Sequence, residues 1–162
     1  MVIFCVNVSD EKEVDGYYKY YGWASHCPIC QGHLNGFGWR QRIVIQTDGS
    51  KKVLLIHRLQ CAQCEKIHHL LPDILIPYKR HCAETVLNII DGNLKDVICD
   101  DSTIHRIRAW WNALSVYFMG IIGSLKAKFG LVFSKPPHPK EIVRAVANAH
   151  LWVSTRSVLG SG

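Results

Sequence analysis

The sequence lacks the patterns that would direct the protein to secretion or into a membrane. It has no cationic start followed by an apolar run and a small-residue cleavage site, so we expect no secretory signal peptide. The segment that most resembles a membrane span, residues 109–125, has only seventeen residues, which is the lower limit for a spanning helix. Asn112, Ser115 and Ser124 weaken the resemblance further. We therefore predict a buried or dimerising helix over this segment and no membrane partner.

Recognisable catalytic patterns are also missing. The sequence shows no nucleophile–base pair, no phosphate-binding loop and no metal site with an open coordination position. We therefore predict that the protein is not an enzyme. Enzymatic activity remains the third alternative, and a zinc content above one per chain would favour it.

The composition is that of a folded protein with an excess of positive charge. Apolar residues make up 48% of the chain and the mean hydropathy is +0.04, values typical of a globular protein. The net charge is +6, and residues 1–16 hold four acidic side chains against one lysine, so the remainder is strongly basic. A basic body favours a polyanionic partner, most often nucleic acid.

Seven cysteines in a chain without a secretory signal favour thiols or metal ligands over disulfides. Cys27 and Cys30 form one Cys-x2-Cys pair, and Cys61 and Cys64 form a second one thirty residues further on. Between them, apolar and polar residues alternate on both sides of an Asp-Gly turn, which predicts a β-hairpin. The hairpin would bring the pairs together, and four thiolates would hold one structural Zn²⁺ in a closed tetrahedral site.

Other roles for the cysteines and nearby histidines fit less well. A redox pair would lie between a strand and a helix of a βαβ unit, and neither pair does. His68 and His69 could replace a cysteine as ligands, but four thiolates already complete the shell, so we assign them to a loop or to a surface facing nucleic acid. The remaining cysteines lack ligand spacing and are predicted to be small buried residues: Cys5, Cys82 and Cys99.

The second half of the chain is predicted to be helical. One helix is expected from about Arg80 to Asp91, with Gly92 as its C-terminal stop. A short helix over Leu94–Ile98 and a turn at Cys99–Asp101 would follow. A third helix would begin at Ser102 as its N-cap, and a final helix would follow Pro139. A short helix, a tight turn and a longer helix with arginines are typical of the helix-turn-helix motif.

The third helix carries a regular apolar stripe. Its members are spaced alternately by three and four residues: Ile104, Ile107, Trp111, Leu114, Phe118, Ile121 and Leu125. This spacing predicts one continuous helix of about 26 residues, roughly 40 Å long. The stripe would be buried by the last helix or by a second subunit, so a homodimer through Ile104–Leu125 is one expectation.

Basic and polar residues supply candidate DNA contacts. Those off the stripe near the start of the third helix would lie near bases: Thr103, His105, Arg106 and Arg108. Three others would contact phosphates, namely Lys79, Arg80 and Lys95, and two more would lie on the hairpin, namely Arg40 and Arg42. A solvated charged face beside a core stripe is the alternative explanation for the helix residues.

Three stretches together resemble a family of small bacterial proteins, common in Firmicutes. They are "CPIC…RLQCAQCEKIHHLLPDILIPYKRH", "DDSTIHRIRAWW" and "AHLWVSTRSVLGSG", and the resemblance covers roughly residues 25–160. The family is similar to the zinc-ribbon and helix-turn-helix front end of insertion-sequence transposases. Matching positions are the four paired cysteines, Leu71–Asp73, Pro77–Arg80, Arg106, and Trp110 or Trp111. The resemblance implies this architecture and DNA binding, without the carboxylate-bearing catalytic core.

Together these observations predict an α+β protein of two domains. Residues 1–78 would form a four-cysteine zinc ribbon with an N-terminal strand, and residues 79–162 a helix-turn-helix domain with a long third helix and a C-terminal helix. We expect a cytoplasmic, nucleoid-associated protein that binds double-stranded DNA, either transposase-related or similar to a transcription regulator. The alternative is a protein-interaction module that docks on a larger transposase or transcription partner.

Overall fold

The computed structural model describes residues 2–5, 11–14, 16–20 and 24–152, and the fold is α+β, as predicted. The strands are β1 (Val2–Cys5), β2 (Glu11–Val14), β3 (Tyr17–Tyr20), β4 (Leu34–Ile45), β5 (Lys51–Cys61) and β6 (Ile67–Pro72). The helices are α1 (Ala83–Asp91), α2 (Asp101–Phe129) and α3 (Pro139–Asn148).

Strand β5 is the centre of a mixed six-stranded sheet. It pairs antiparallel with β4 along its whole length, antiparallel with β6 near its end, and parallel with β3. Strand β1 adds parallel to β6, and β2 adds antiparallel to β3. The β4–β5 hairpin is the predicted one, and its turn is closed by Asp48, which accepts a hydrogen bond of 2.9 Å from the Ser50 N–H. The hairpin therefore returns the chain from Leu34 to Cys61.

The two faces of β5 serve different cores. Side chains alternate along a strand, so Leu54 and Ile56 face one side of the sheet while Leu59 and Cys61 face the other. The first pair belongs to the main core, which contains residues of all three helices. The second pair belongs to a smaller cluster together with Cys27, Leu34 and Leu70. The cysteine cluster is therefore on the face of the sheet opposite the helices.

The helices match the sequence pattern at three places and differ from it at two. Helix α1 ends at Gly92, whose positive φ of 80° lets the chain leave the helix. The long helix α2 is continuous over 29 residues, but its N-cap is Asp100 rather than Ser102. The short helix expected over Leu94–Ile98 is absent, because residues 92–100 form turns and bends. Pro139 begins α3, as expected.

The apolar stripe of α2 is buried within the chain itself. Ile107, Leu114 and Phe118 lie in the main core with residues of α1 and α3, so the chain itself buries this part of the stripe. Val44 and Leu54 of the hairpin belong to the same core, which therefore extends across the boundary expected between residues 78 and 79. Among the helices described, none combines the length and apolarity needed to cross a membrane.

Candidate metal centre and basic cleft

The four paired cysteines converge at one point. All four Sγ atoms lie within 4.8 Å of one another. The Cys27–Cys64 sulfur distance is 3.7 Å and the Cys30–Cys61 distance is 3.4 Å, far longer than the roughly 2.05 Å of a disulfide. Zn–S bonds of about 2.3 Å in a tetrahedron place sulfurs about 3.8 Å apart. The arrangement therefore suits a four-thiolate metal site.

The two cysteine pairs sit on turns of the same construction. The Cys27 carbonyl accepts a hydrogen bond of 2.9 Å from the Gln31 N–H, and the Cys61 carbonyl accepts one of 3.0 Å from the Glu65 N–H. Gln31 and Glu65 both have positive φ, 61° and 57°, because each turn must reverse just after its second cysteine. The turns also direct N–H groups at sulfur, at 3.4 Å from Ile29 to Cys27 and from Gln63 and Cys64 to Cys61.

These N–H groups make the thiols unequal. The pKa of Cys61 is lowered to about 6, first by the Cys64 N–H and also by the Gln63 N–H. Although a hydrogen bond with the Gly32 backbone lowers it, the pKa of Cys30 is raised to about 12 by burial and by the neighbouring sulfurs. Since metal ligands must be deprotonated, metal binding would release protons and depend on pH.

Sequence reasoning missed the position of His68. The residue lies on strand β6 rather than in an exit loop, and its side chain is fully buried. Its Nε2 atom is 3.4 Å from the Cys27 sulfur, so the imidazole adjoins the cluster without replacing a cysteine. The alternation of β6 sends His69 to the other face of the sheet. Of the other cysteines, Cys82 is buried and Cys99 half-buried, while the Cys5 side chain lies outside the described residues.

A basic cleft lies on that other face of the sheet. Strands β4, β5 and β6 together with residues 77–80 enclose about 810 Å³, and His69 is among the lining residues. Among the described lining residues there are no acids and five strong bases: Arg40, Arg42, Lys51, Lys79 and Arg80. Four of the nine predicted DNA contacts thus meet here, and Lys51 was not anticipated.

Two of these bases shape the cleft wall. The Arg42 guanidinium donates hydrogen bonds of 2.8 and 2.6 Å to the carbonyls of Ile76 and Lys79. Burial, followed by the nearby charge of Arg40, lowers the pKa of Arg42 to about 10. The Lys79 ammonium lies 4.0 Å from the centre of the Trp110 ring, and burial lowers its pKa to about 8. Arg40, Lys51 and Arg80, by contrast, are exposed.

The family model described as "Domain of unknown function (DUF6431)" matches residues 27–107, which is half of the chain. The chain belongs to the DUF6431 family. The matched segment begins at the first metal-site cysteine and contains both cysteine pairs, the bases of the cleft, α1 and the start of α2. Neither a curated protein nor a solved structure gives a significant match.

The DUF6431 segment ends in α2, where four of the five remaining predicted contacts lie. Thr103 is buried, and its N–H and hydroxyl donate to the Asp100 carboxylate at 2.7 and 2.9 Å. Arg106 donates to the Thr103 hydroxyl at 3.0 Å, and Arg108 donates to the Ile89 carbonyl of α1 at 3.4 Å. Only His105 of the four is exposed without such an anchor in the described structure.

The start of α2 and the cleft adjoin one another. Burial lowers the pKa of His81; the Asp100 carboxylate opposes this shift, and the positive charge of Arg106 adds to it. Arg80, which lines the cleft, directly precedes His81. Lys95 lies apart from both, in the exposed connection between α1 and α2. Apart from Lys95, the predicted contacts thus form a cleft group and an adjoining α2 group.

Proposed function

We propose that this DUF6431 protein binds DNA through the basic cleft. The observation that carries the proposal is the convergence of five bases and no described acid around one concavity. The convergence comes from the fold, since Arg40 and Arg42 lie on β4, Lys51 begins β5, and Lys79 with Arg80 follows β6. Bases gathered in this way give sequence-independent affinity for phosphates that weakens as salt rises.

We assign one structural Zn²⁺ to Cys27, Cys30, Cys61 and Cys64, in a zinc ribbon built on the β4–β5 hairpin. The donor set fits, because four thiolates with N–H groups aimed at them form a closed shell that suits zinc. The ion would supply folding energy and leave no open position for chemistry. It would also fix the end of β5 and the start of β6, the strand that brings His69 to the cleft.

The α1–α2 pair would flank the bound DNA. Its connection, Gly92–Asp100, is longer than the three or four residues of a helix-turn-helix turn. Arg106 and Arg108 are exposed but hold local hydrogen bonds, so His105 is the exposed side chain of the set without such a bond in the described structure. We therefore give the first turns of α2 a supporting role beside the cleft, with any base reading through His105.

The experiment that tests DNA binding is selection from random duplex and single-stranded pools with zinc-loaded protein across a salt series. Affinity that falls steeply with salt is the expected result. An enriched motif would identify a sequence reader related to transcription regulators or mobile elements, and a palindrome would indicate a dimer. Negligible affinity for both pools at low salt would overturn the proposal.

A protein-interaction module is the second candidate, favoured by exposed apolar side chains in the middle of α2, at its end and just beyond it. Val116 is 81% exposed, Phe129 61% and Val132 93%. Such side chains together mark a docking surface more often than isolated ones do. This candidate predicts weak DNA affinity together with self-association that Val116→Ser and Val132→Ser relieve, measured by sedimentation.

A further inference from the structure

The cleft is not purely a charged surface. Ile56 and Leu71 are buried residues of its lining, and Ile43 and Tyr78 line it while remaining 58% and 65% exposed. Tyr78 has a φ of 63°, a conformation that is uncommon outside glycine and asparagine and that must be held by its surroundings. An aromatic and an aliphatic side chain are therefore kept in solvent beside a ring of positive charges.

These apolar groups suit single-stranded nucleic acid better than a duplex. A duplex presents phosphates and sugars to a concave surface, while its bases stay stacked inside, so Tyr78 and Ile43 would remain in water. A single strand offers phosphates and unstacked base faces together, and proteins bind it by combining a basic groove with aromatic stacking. The volume of about 810 Å³ is that of a small-molecule pocket, about 300–1,000 Å³, which admits a few nucleotides rather than a double helix.

We propose that the cleft binds an unpaired segment of nucleic acid, with its phosphates on Arg40, Lys51 and Arg80 and a base stacked on Tyr78. The proposal rests on the proposed function and narrows its ligand to single strands or to unpaired stretches within DNA. Arg42 and Lys79 contribute mainly by shaping the wall, because their charged groups already contact carbonyls and the Trp110 ring.

His69 fits the same ligand. Burial first, with nearby positive charges such as Arg40, lowers its pKa to about 4, so the imidazole in the cleft is neutral near pH 7. A neutral imidazole offers one donor and one acceptor, which suits the edge of a base better than a phosphate. The cleft therefore combines exposed cations, an exposed aromatic ring and a neutral polar group.

The test is fluorescence anisotropy with a labelled oligothymidylate and with a duplex of equal length, using the zinc-loaded full chain. The comparison includes wild type, Tyr78→Ala and Tyr78→Phe. We expect the single strand to bind more tightly than the duplex, and Tyr78→Ala to weaken it by about tenfold, in line with one lost base stack. Tyr78→Phe should retain single-strand affinity, and duplex affinity should be unaffected by either change.

Three results would have different meanings. The stacking proposal is overturned if Tyr78→Ala leaves single-strand affinity unchanged. It is also overturned if Tyr78→Ala and Tyr78→Phe both weaken the binding of single strand and duplex to the same extent. If the duplex binds more tightly than the single strand, the ligand assignment is overturned while DNA binding stands. If neither form binds at low salt, the proposed function itself fails. Zinc content and melting temperature equal to wild type establish that each variant is folded.

Discussion

Single residues decide the chemistry of the metal centre, and Cys64 offers the simplest test. Cys64→Ser removes one of four thiolates, so we expect zinc to be lost to a chelator and the melting temperature to fall. The apparent binding energy of structural zinc, about 10–16 kcal/mol, is folding energy in such sites. Zinc content is measured by elemental mass spectrometry, and the melting temperature is measured by thermal unfolding. Cys99→Ser, outside the cluster, is the matched control, and the two variants behaving alike would refute the site.

His68 should tune the same site without ligating it. Its Nε2 atom lies 3.4 Å from the Cys27 sulfur in a fully buried position, so His68→Phe removes a polar contact with a ligand while filling the space. Partners of metal ligands typically contribute 10–100-fold in affinity, and we expect a loss of about that size in chelator competition. His105→Phe, on an exposed position, should have no effect. Unchanged zinc affinity in His68→Phe would exclude this role.

The lowered pKa of His69 predicts how the free energy of unfolding responds to acid. Its folded pKa of about 4 lies below the unfolded value of about 6.5, so between them the unfolded chain binds a proton that the folded chain does not. The free energy of unfolding therefore falls as pH drops through this window. Urea denaturation should show a shallower fall for His69→Asn than for wild type or His105→Asn. If the free energy of unfolding depended on pH equally in all three proteins, the lowered pKa of His69 would be contradicted.

The cysteine site could be predicted from sequence and its histidine neighbour could not, for a physical reason. The two cysteine turns and the hairpin between them are local features of the sequence. The two Cys-x2-Cys spacings, which begin at Cys27 and Cys61, therefore suffice to predict the site. His68 and His69 are adjacent in sequence. Only the pairing of β6 with β5 places His68 on the face with the cysteines and His69 on the face with the cleft.

At the scale of elements, the start of α2 depends on its cap. The Asp100 carboxylate accepts hydrogen bonds first from the Ser102 hydroxyl and then from the Thr103 N–H and hydroxyl, and these bonds hold its pKa well below the usual value. Asp100→Ala should lower the free energy of unfolding by about 1–2 kcal/mol, in the range measured for N-caps. Because the pKa is depressed, this contribution is present above about pH 4 and is lost as pH falls.

Chemical denaturation of Asp100→Ala beside Asp101→Ala measures the effect. Asp101 has the same charge in the first turn of α2 but makes no cap hydrogen bond in the described structure, so we expect a much smaller loss there. Equal losses in the two variants would assign the effect to charge at the helix N-terminus rather than to the cap.

Helix periodicity predicted the long α2 but not the connection before it. Ile98 packs against the hairpin turn, close enough that a Cβ at Gly49 would lie 3.3 Å from its Cγ2 atom. This contact joins residues far apart in sequence, so a pattern read over a short window gives no sign of it. The Leu94–Ile98 segment therefore looked like a helix and forms a turn against the sheet instead.

At the scale of the molecule, the sheet and the helices share one core. Val44 and Leu54 from the hairpin share this core with Val86 of α1 and with Phe118, a member of the apolar stripe of α2. The cleft also exists only at this scale, since its bases come from separate strands and from residues 77–80. The sequence contained the right bases without showing which of them would meet. The homodimer through Ile104–Leu125 stays a prediction.

The measurement that tests the central claim most directly is the salt dependence of DNA affinity in matched charge variants. Arg40→Gln/Arg80→Gln removes two exposed bases of the cleft, and Lys126→Gln/Lys128→Gln removes two exposed bases from the last turn of α2. Two lost phosphate contacts should reduce the slope of log affinity against log salt by roughly 1.4 for a single strand or 1.8 for a duplex. The α2 variant should keep the wild-type slope. Equal slopes in the two variants would contradict the cleft as the binding site.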